Sequence, residues 1–284
     1  MQNFLILFAS LIILMKPSRA VEAQKLPLYE FGFGLMGARF PTYPGSSESI
    51  SLVLPIPAMA YRGSIFRTVK EGGVKGRIFV SDDFEFDISF DGNFSSSRYE
   101  SKIRLGMPPL GLLLEMGPRV TYFWNKGSDK RLELCFAVRK AFHAVWPSLR
   151  QNGYSASPYL NLRFDDFNQK QGTLLLRFGA KYGSNTLMNY FYEVDHQYAT
   201  ANRPRYEAKP GLLGYFLVAN FYQPISSRSK IFISNRFYDY RYAKNRESPL
   251  LTEKNNWTIA LGLLYTFFKS EEMVQMNRFS SGGS

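Results

Sequence analysis

Phe84-Glu85-Phe86-Asp87-Ile88-Ser89-Phe90-Asp91-Gly92-Asn93-Phe94-Ser95 is the stretch on which the fold is decided. Side chains alternate between the two faces of an extended strand. Phe84, Phe86, Ile88, Phe90, Gly92 and Phe94 therefore share one face, and Glu85, Asp87, Ser89, Asp91, Asn93 and Ser95 share the other. In a water-soluble sandwich the acidic face would meet bulk water. In a transmembrane barrel it lines the lumen while the Phe face meets lipid.

The pattern recurs along the chain. Tyr154, Ala156, Pro158, Leu160, Leu162 and Phe164 alternate with Ser155, Ser157, Tyr159, Asn161, Arg163 and Asp165. Leu174, Leu176, Phe178, Ala180 and Tyr182 alternate with Thr173, Leu175, Arg177, Gly179 and Lys181, and Leu132, Leu134, Phe136 and Val138 oppose Glu133, Cys135, Ala137 and Arg139. Trp257, Ile259, Leu261, Leu263, Tyr265 and Phe267 form a last greasy face that ends on an aromatic residue. Less regular runs are Tyr29–Arg39, Ser51–Arg62, Ser64–Lys70, Gly76–Ser81, Leu112–Trp124, Leu212–Gln223 and Lys230–Tyr242. The expectation is an all-β chain forming one closed antiparallel transmembrane barrel of about twelve strands, give or take two, since bacterial barrels use even numbers.

Turn signals punctuate these runs at Glu71-Gly72-Gly73, Asp91-Gly92-Asn93, Asn125 to Asp129 and Gln151-Asn152-Gly153. The longest irregular stretch, Ser184 to Pro210, holds Leu187-Met188-Asn189-Tyr190-Phe191, which reads as a helical turn or a folded extracellular loop.

Composition agrees. Aromatic residues make up 16% of the 284-residue chain, as interfacial girdles need, while the mean hydropathy of -0.21 does not mark a helical membrane protein. The net charge is +12. Lys and Arg are scattered over many strands and turns rather than gathered in one tract, which argues against nucleic acid and suits anionic lipid, lipopolysaccharide or a polar lumen. Cys135, the single cysteine, excludes an intrachain disulfide and a thiolate metal cluster; its place in an apolar strand suggests packing.

Phe4 to Met15 is an apolar run too short to span a bilayer, followed by Ser18-Arg19-Ala20 and Val21-Glu22-Ala23. It reads as a signal peptide over 1–23, cleaved after Ala20 or Ala23, although Met1-Gln2-Asn3 carries no basic side chain. The barrel would then occupy 24–268, and Lys269 to Ser284 would be a flexible polar tail.

Several blocks together resemble the MipA/OmpV family of outer-membrane proteins. They are Gly34-x-x-Gly37-Ala38-Arg39-Phe40-Pro41-Thr42-Tyr43-Pro44-Gly45-Ser46, Leu54-Pro55-Ile56-Pro57-Ala58-Met59-Ala60-Tyr61-Arg62 and Val80-Ser81-Asp82-Asp83-Phe84. The most diagnostic are Arg104-Leu105-Gly106-Met107-Pro108-Pro109-Leu110 and Leu114-Glu115-Met116-Gly117-Pro118-Arg119. Tyr190 to Val194 and Glu247-Ser248-Pro249-Leu250-Leu251 follow, with Tyr192 where Gly is expected. The resemblance implies a non-enzymatic scaffold of the outer membrane that links a lytic transglycosylase to a bifunctional penicillin-binding protein in peptidoglycan growth, without a cofactor. It also leaves room for a small-solute or antibiotic-related pore, or an adhesion-type barrel.

Read by themselves, the family residues are mostly structural. Gly45 and Gly106 permit turns, Pro108-Pro109 stops strand pairing, and Glu115 and Arg119 share one face, where they fit a charge network. The lumen is expected to hold Glu85, Asp87, Asp91 and Asp165 against Arg139, Arg163, Arg177 and Lys181, paired across the barrel into a plug. Asp82-Asp83, Asp165-Asp166 and Asp195-His196 bear a weak similarity to the sites of omptin proteases, and His143 and His196 stand in unrelated contexts that do not suggest zinc.

Overall fold

The computed structural model describes residues 23–63, 66–68, 74–81, 83–93, 101–124, 129–145, 148–168 and 171–277. The expected signal segment up to residue 22, the Glu71-Gly72-Gly73 turn, Asp82, Phe94 and Ser95 lie outside these residues.

Among the described residues fourteen strands form two antiparallel sheets. A short ribbon pairs β1 (Ala23–Pro27) with β14 (Met273–Asn277). The large sheet begins with β2 (Tyr29–Pro41), β3 (Ser49–Tyr61), β4 (Phe66–Thr68), β5 (Val74–Val80), β6 (Phe84–Asn93) and β7 (Leu112–Phe123). It continues through β8 (Lys130–Val145), β9 (Ser148–Asp165), β10 (Thr173–Gly183), β11 (Gly211–Pro224), β12 (Ser229–Asp239) and β13 (Asn255–Lys269). Its order is β3-β2-β13-β12-β11-β10-β9-β8-β7-β6-β5-β4, a meander in which the first and last strands of this sheet, β2 and β13, sit side by side. Among the described residues β3 and β4, the two ends of that order, are not paired with each other.

Strand directions sort the connections. Residues 23 and 277 and the strand ends flanking 81–83, 124–129, 166–172 and 225–228 lie at one end of the sheet. The links 42–48, 101–111, 184–210 and 240–254 lie at the other. The longest of these contains the helix α1 (Asn185–Tyr192) and a short 3-10 turn, His196–Tyr198. The expected helical turn around Leu187–Phe191 is therefore present.

The faces of β6 are inverted relative to a soluble protein. Glu85, Asp87 and Ser89 are buried, while Phe84 and Phe90 are about half exposed at 48% and 52%. On β13 Trp257, Ile259, Leu261, Leu263, Tyr265 and Phe267 all stand exposed. A continuous apolar outer face of this kind is unfavourable in water and favourable in hydrocarbon.

Two local expectations change. Gln151-Asn152-Gly153 is not a turn but part of β9; Gly153 takes φ +78 beside a register shift between Lys140 and Phe142. A bulge lets a strand keep pairing while spending a residue, so a glycine signal inside a long strand mimics a turn. The tail is not uniformly loose either, because Met273–Asn277 pairs in register with Ala23–Pro27.

Candidate functional site

The inner face of β6 to β10 is a charged wall. Asp87 and Arg119 lie directly opposite in the β6–β7 register. Arg119 donates through Nε and Nη2 to the two oxygens of Asp87 at 3.1 and 2.7 Å, and through Nη1 to the Tyr159 hydroxyl at 3.1 Å. Glu115 accepts from Lys181 Nζ at 2.5 Å and from the Ser155 hydroxyl. Asp91 faces three cations: Lys181 at 3.4 Å, Arg236 at 3.8 Å and Arg139 at 3.9 Å. Arg139 also donates to Ser89 at 2.9 Å.

Toward the termini, Asp165 accepts from Arg163 at 2.9 Å, Arg131 at 3.3 Å and Thr173 at 3.0 Å. Arg177 stacks over the Tyr159 ring at 4.7 Å and donates to Asn161 at 2.8 Å. A charge removed from water needs such pairing, since a lone one costs several kcal/mol. What space remains among Asp91, Arg139, Tyr159, Arg177, Lys181 and Arg236 is a cavity of about 20 Å³, room for one water.

All eight expected lumen charges, Glu85, Asp87, Asp91, Arg139, Arg163, Asp165, Arg177 and Lys181, stand on this inner face, and Glu115 and Arg119 join them. Their pairing differs from the expectation of partners drawn from opposite halves of the chain. Arg163 bonds Asp165 two residues along its own strand, and Asp87 bonds the neighbouring strand. Lys181 reaches past neighbouring strands to Asp91 and Glu115, and Arg139 and Arg236 likewise reach Asp91. Sequence reasoning missed Arg131, Arg236 and Tyr159. Parity with Glu133 would have placed Arg131 inward, whereas β12 alternates too weakly to orient Arg236.

The end of the sheet opposite the termini carries a packed cap. Tyr43, Met107, Leu110, Leu187, Met188, Phe191, Tyr192, Ala243 and Leu250 from four loops form one core with Leu113, Ala141, Leu213 and Tyr240. The family blocks converge here. The Tyr43 hydroxyl donates to the Leu250 carbonyl at 2.7 Å, Tyr192 to that of Pro44 at 3.1 Å, and Ser248 to that of Tyr192 at 2.8 Å. Arg104 donates to the Phe191 carbonyl at 3.1 Å and, at 3.4 Å, to that of Pro108, whose neighbour Pro109 also lies outside the strands. Thr42 and Ser46 share a hydrogen bond of 2.6 Å, and Gly45 N–H donates to Asn256 at 2.7 Å. Gly45 and Gly106 take φ +82 and +80, values that a Cβ would penalise. Tyr192, the departure from the expected Gly, is fully buried in the cap. Burial pushes the Tyr43 phenol up to about 12 and raises that of Tyr192 as well, keeping both as donors.

Two more family positions act on the wall itself. At Gly117-Pro118 the β7–β8 pairing skips, and a Cβ at Gly117 would overlap the Val138 carbonyl. Pro249 lies in the cap loop beside Ser248. Cys135 is buried on the inner face within 3.6 Å of the Thr121 hydroxyl.

The carboxylates considered for hydrolysis do not gather. Asp83 and Asp165 lie near the terminal end, Asp166 holds φ +55 in a turn, and Asp195 and His196 are exposed in the cap loop at the far end. His143 stacks on Tyr190 with ring centroids 5.2 Å apart. Among the described residues no group of three His, Cys, Asp or Glu is placed to hold a metal ion.

These features define a class: an all-β protein built on one large antiparallel sheet, apolar outside, ion-paired on one inner wall and capped at one end. The chain belongs to the family described as MltA-interacting protein MipA, which matches residues 33–267. A search of curated proteins finds no match. Among solved structures, the NanC porin aligns at 11% identity and a TM-score of 0.40, over 82% of this chain and 98% of that one. An anion-selective porin from Comamonas acidovorans aligns at 8% and 0.31, over 87% and 100% of the two chains. A FadL homologue of Pseudomonas aeruginosa aligns at 8% and 0.30, over 86% and 91%. Similarity at this level does not define a shared architecture.

Proposed function

We propose that the chain is a non-enzymatic β-barrel of the outer membrane, exported by the segment 1–23, whose twelve-stranded sheet closes with β4 beside β3. The observation that carries this reading is the inverted sheet: Phe84, Phe90 and the whole aromatic row of β13 face outward while Glu85, Asp87 and Glu115 are buried. Hydrocarbon rewards that arrangement and water does not. A hydrolytic site would bring the candidate acids together; Asp165 is instead bonded to Arg163 and Arg131 near one end of the sheet, while Asp195 and His196 lie at the other.

Within that class we infer a scaffold rather than an open pore. Asp87, Glu115 and Asp165 are each held by a cation, and the loop end is filled by the cap core. The family's description names an interaction with MltA, and a partner of that kind would meet the terminal end, where the short links and the β1–β14 ribbon lie. The scaffold would join a murein hydrolase to a murein synthase. Pull-down from solubilised envelopes with the full chain is expected to retain a lytic transglycosylase; its absence, together with stable ohmic steps in planar bilayers, would favour the pore.

A further inference from the structure

The charged wall occupies only part of the inner face. Gly34, Met36, Leu52, Leu54 and Ile56 of β2 and β3 also turn inward, and Leu264 of β13 continues the apolar strip. Apart from Gly34 these side chains are half-buried, so the strip is not covered by a packed core.

β3 ends the sheet, and its main chain is unusual at that edge. Its register with β2 runs unbroken from Ser49 to Tyr61. Beyond it, Arg62 N–H donates to the Leu28 carbonyl at 2.8 Å. Even-numbered residues of β3 therefore make the hydrogen-bonded pairs with β2, and odd-numbered ones direct their main-chain groups to the other edge. Pro55 and Pro57 are odd-numbered. That edge lacks two successive N–H donors at mid-strand, whichever strand lies against it. Each missing donor leaves a facing carbonyl without its ladder partner, so a seam at this edge is held by fewer hydrogen bonds than a full ladder would give. The outer flank is apolar and open, with Val53 69% and Met59 55% exposed.

We propose that the β3 edge is a lateral portal through which an acyl chain from the bilayer enters the apolar strip of the lumen. The inference rests on the outer-membrane barrel reading. An acyl chain suits the site because the strip offers no charge or hydrogen-bond donor, the cap closes one end, and the phase directly outside β3 is hydrocarbon.

Spin-label accessibility of the full chain in phosphatidylcholine vesicles tests it, in a Cys135→Ala background. Nitroxides are placed at Leu54→Cys on the strip, at Val53→Cys on the outer flank and at Thr121→Cys on the charged wall. Collisions with oxygen report hydrocarbon, and collisions with a water-soluble nickel chelate report water. The Leu54 label is expected to be oxygen-dominated like the Val53 label, with the Thr121 label protected from oxygen. Pro55→Val with Pro57→Val, which restores both donors, is expected to remove oxygen access at Leu54 and leave Val53 unchanged. A Leu54 label that is nickel-dominated or inaccessible beside an oxygen-dominated Val53 label overturns the portal alone. Unchanged oxygen access after the double substitution does the same. A Val53 label that is itself nickel-dominated overturns the membrane reading and the portal with it.

Discussion

The inner face has two walls that solve the same problem differently. On β6 to β10 the interior is filled with ions, each tied to at least one partner, such as Lys181 to Glu115 at 2.5 Å and Arg119 to Asp87 at 2.7 Å. On β13, β2 and β3 it is lined largely by Leu, Met, Ile and Gly, and among the described residues the ion pair there is Arg62 with Glu30, 2.9 Å apart, at the terminal end. The charged wall is specific, because each side chain has few acceptable partners and loses much when one is removed. The apolar wall is permissive, because dispersion and burial are non-directional. One sheet can thus be rigid along one stretch of its inner face and adaptable along another.

The sharpest way to break this contrast is Lys181→Met, which removes the cation that spans Glu115 and Asp91. Stranding a buried carboxylate costs about 3–5 kcal/mol, read as a lower urea midpoint of the refolded protein in detergent. Leu264→Met on the apolar wall should cost less than about 1.5 kcal/mol. Equal losses would erase the distinction between the walls.

The outer face provides the next largest effect. Phe90→Arg places a charge at a residue 52% exposed on the outer surface, and near mid-bilayer this costs about 2–4 kcal/mol. Ser89 is a poor neutral control, since it faces inward and accepts from Arg139 at 2.9 Å. Thr258 of β13, inward and only half-buried, is the better one, and Thr258→Arg should shift folding into vesicles less than Phe90→Arg does. A reversed order would mean that the faces are misassigned.

The cap sharpens the comparison through pH. The Tyr43 phenol is raised from 10.0 to about 12 by burial. A group whose folded value is raised contributes stability that is complete below the unfolded value and is lost as pH rises through the folded one. Cap protection against proteolysis should therefore hold up to pH 10 and decline toward about 12, with Tyr43→Phe flattening that decline. A midpoint unmoved by Tyr43→Phe would assign the loss elsewhere. The smallest effect is expected at Arg241, whose pair with Asp239 is exposed at the rim; Arg241→Ala should leave thermal unfolding unchanged within error, as exposed pairs contribute little.

Alternation made β6, β8, β9, β10 and β13 readable residue by residue, because a two-residue period is a local property of an extended chain and shows wherever the two faces meet different phases. It faded on β2 and β3 for the same reason. There Leu52, Leu54 and Ile56 face inward while Val53, Pro55 and Met59 face outward, and two apolar faces cancel the signal. The family blocks could be recognised in the sequence, yet their shared task was not visible: Tyr43 meets Leu250 across 207 positions, and Tyr192 meets Pro44 across 148.

By itself the sequence determined which face of the best strands is greasy, that Glu85, Asp87, Asp165, Arg163, Arg177 and Lys181 share the wet face, and that Gly45 and Gly106 sit in turns. Tertiary structure alone decided which charge holds which. Lys181 reaches Glu115 across 66 positions and Asp91 across 90, a choice set by strand order, register and the width of the interior. Periodicity fixes only the side of the sheet on which a side chain stands. Its partner depends on distances that exist only once the strands are assembled.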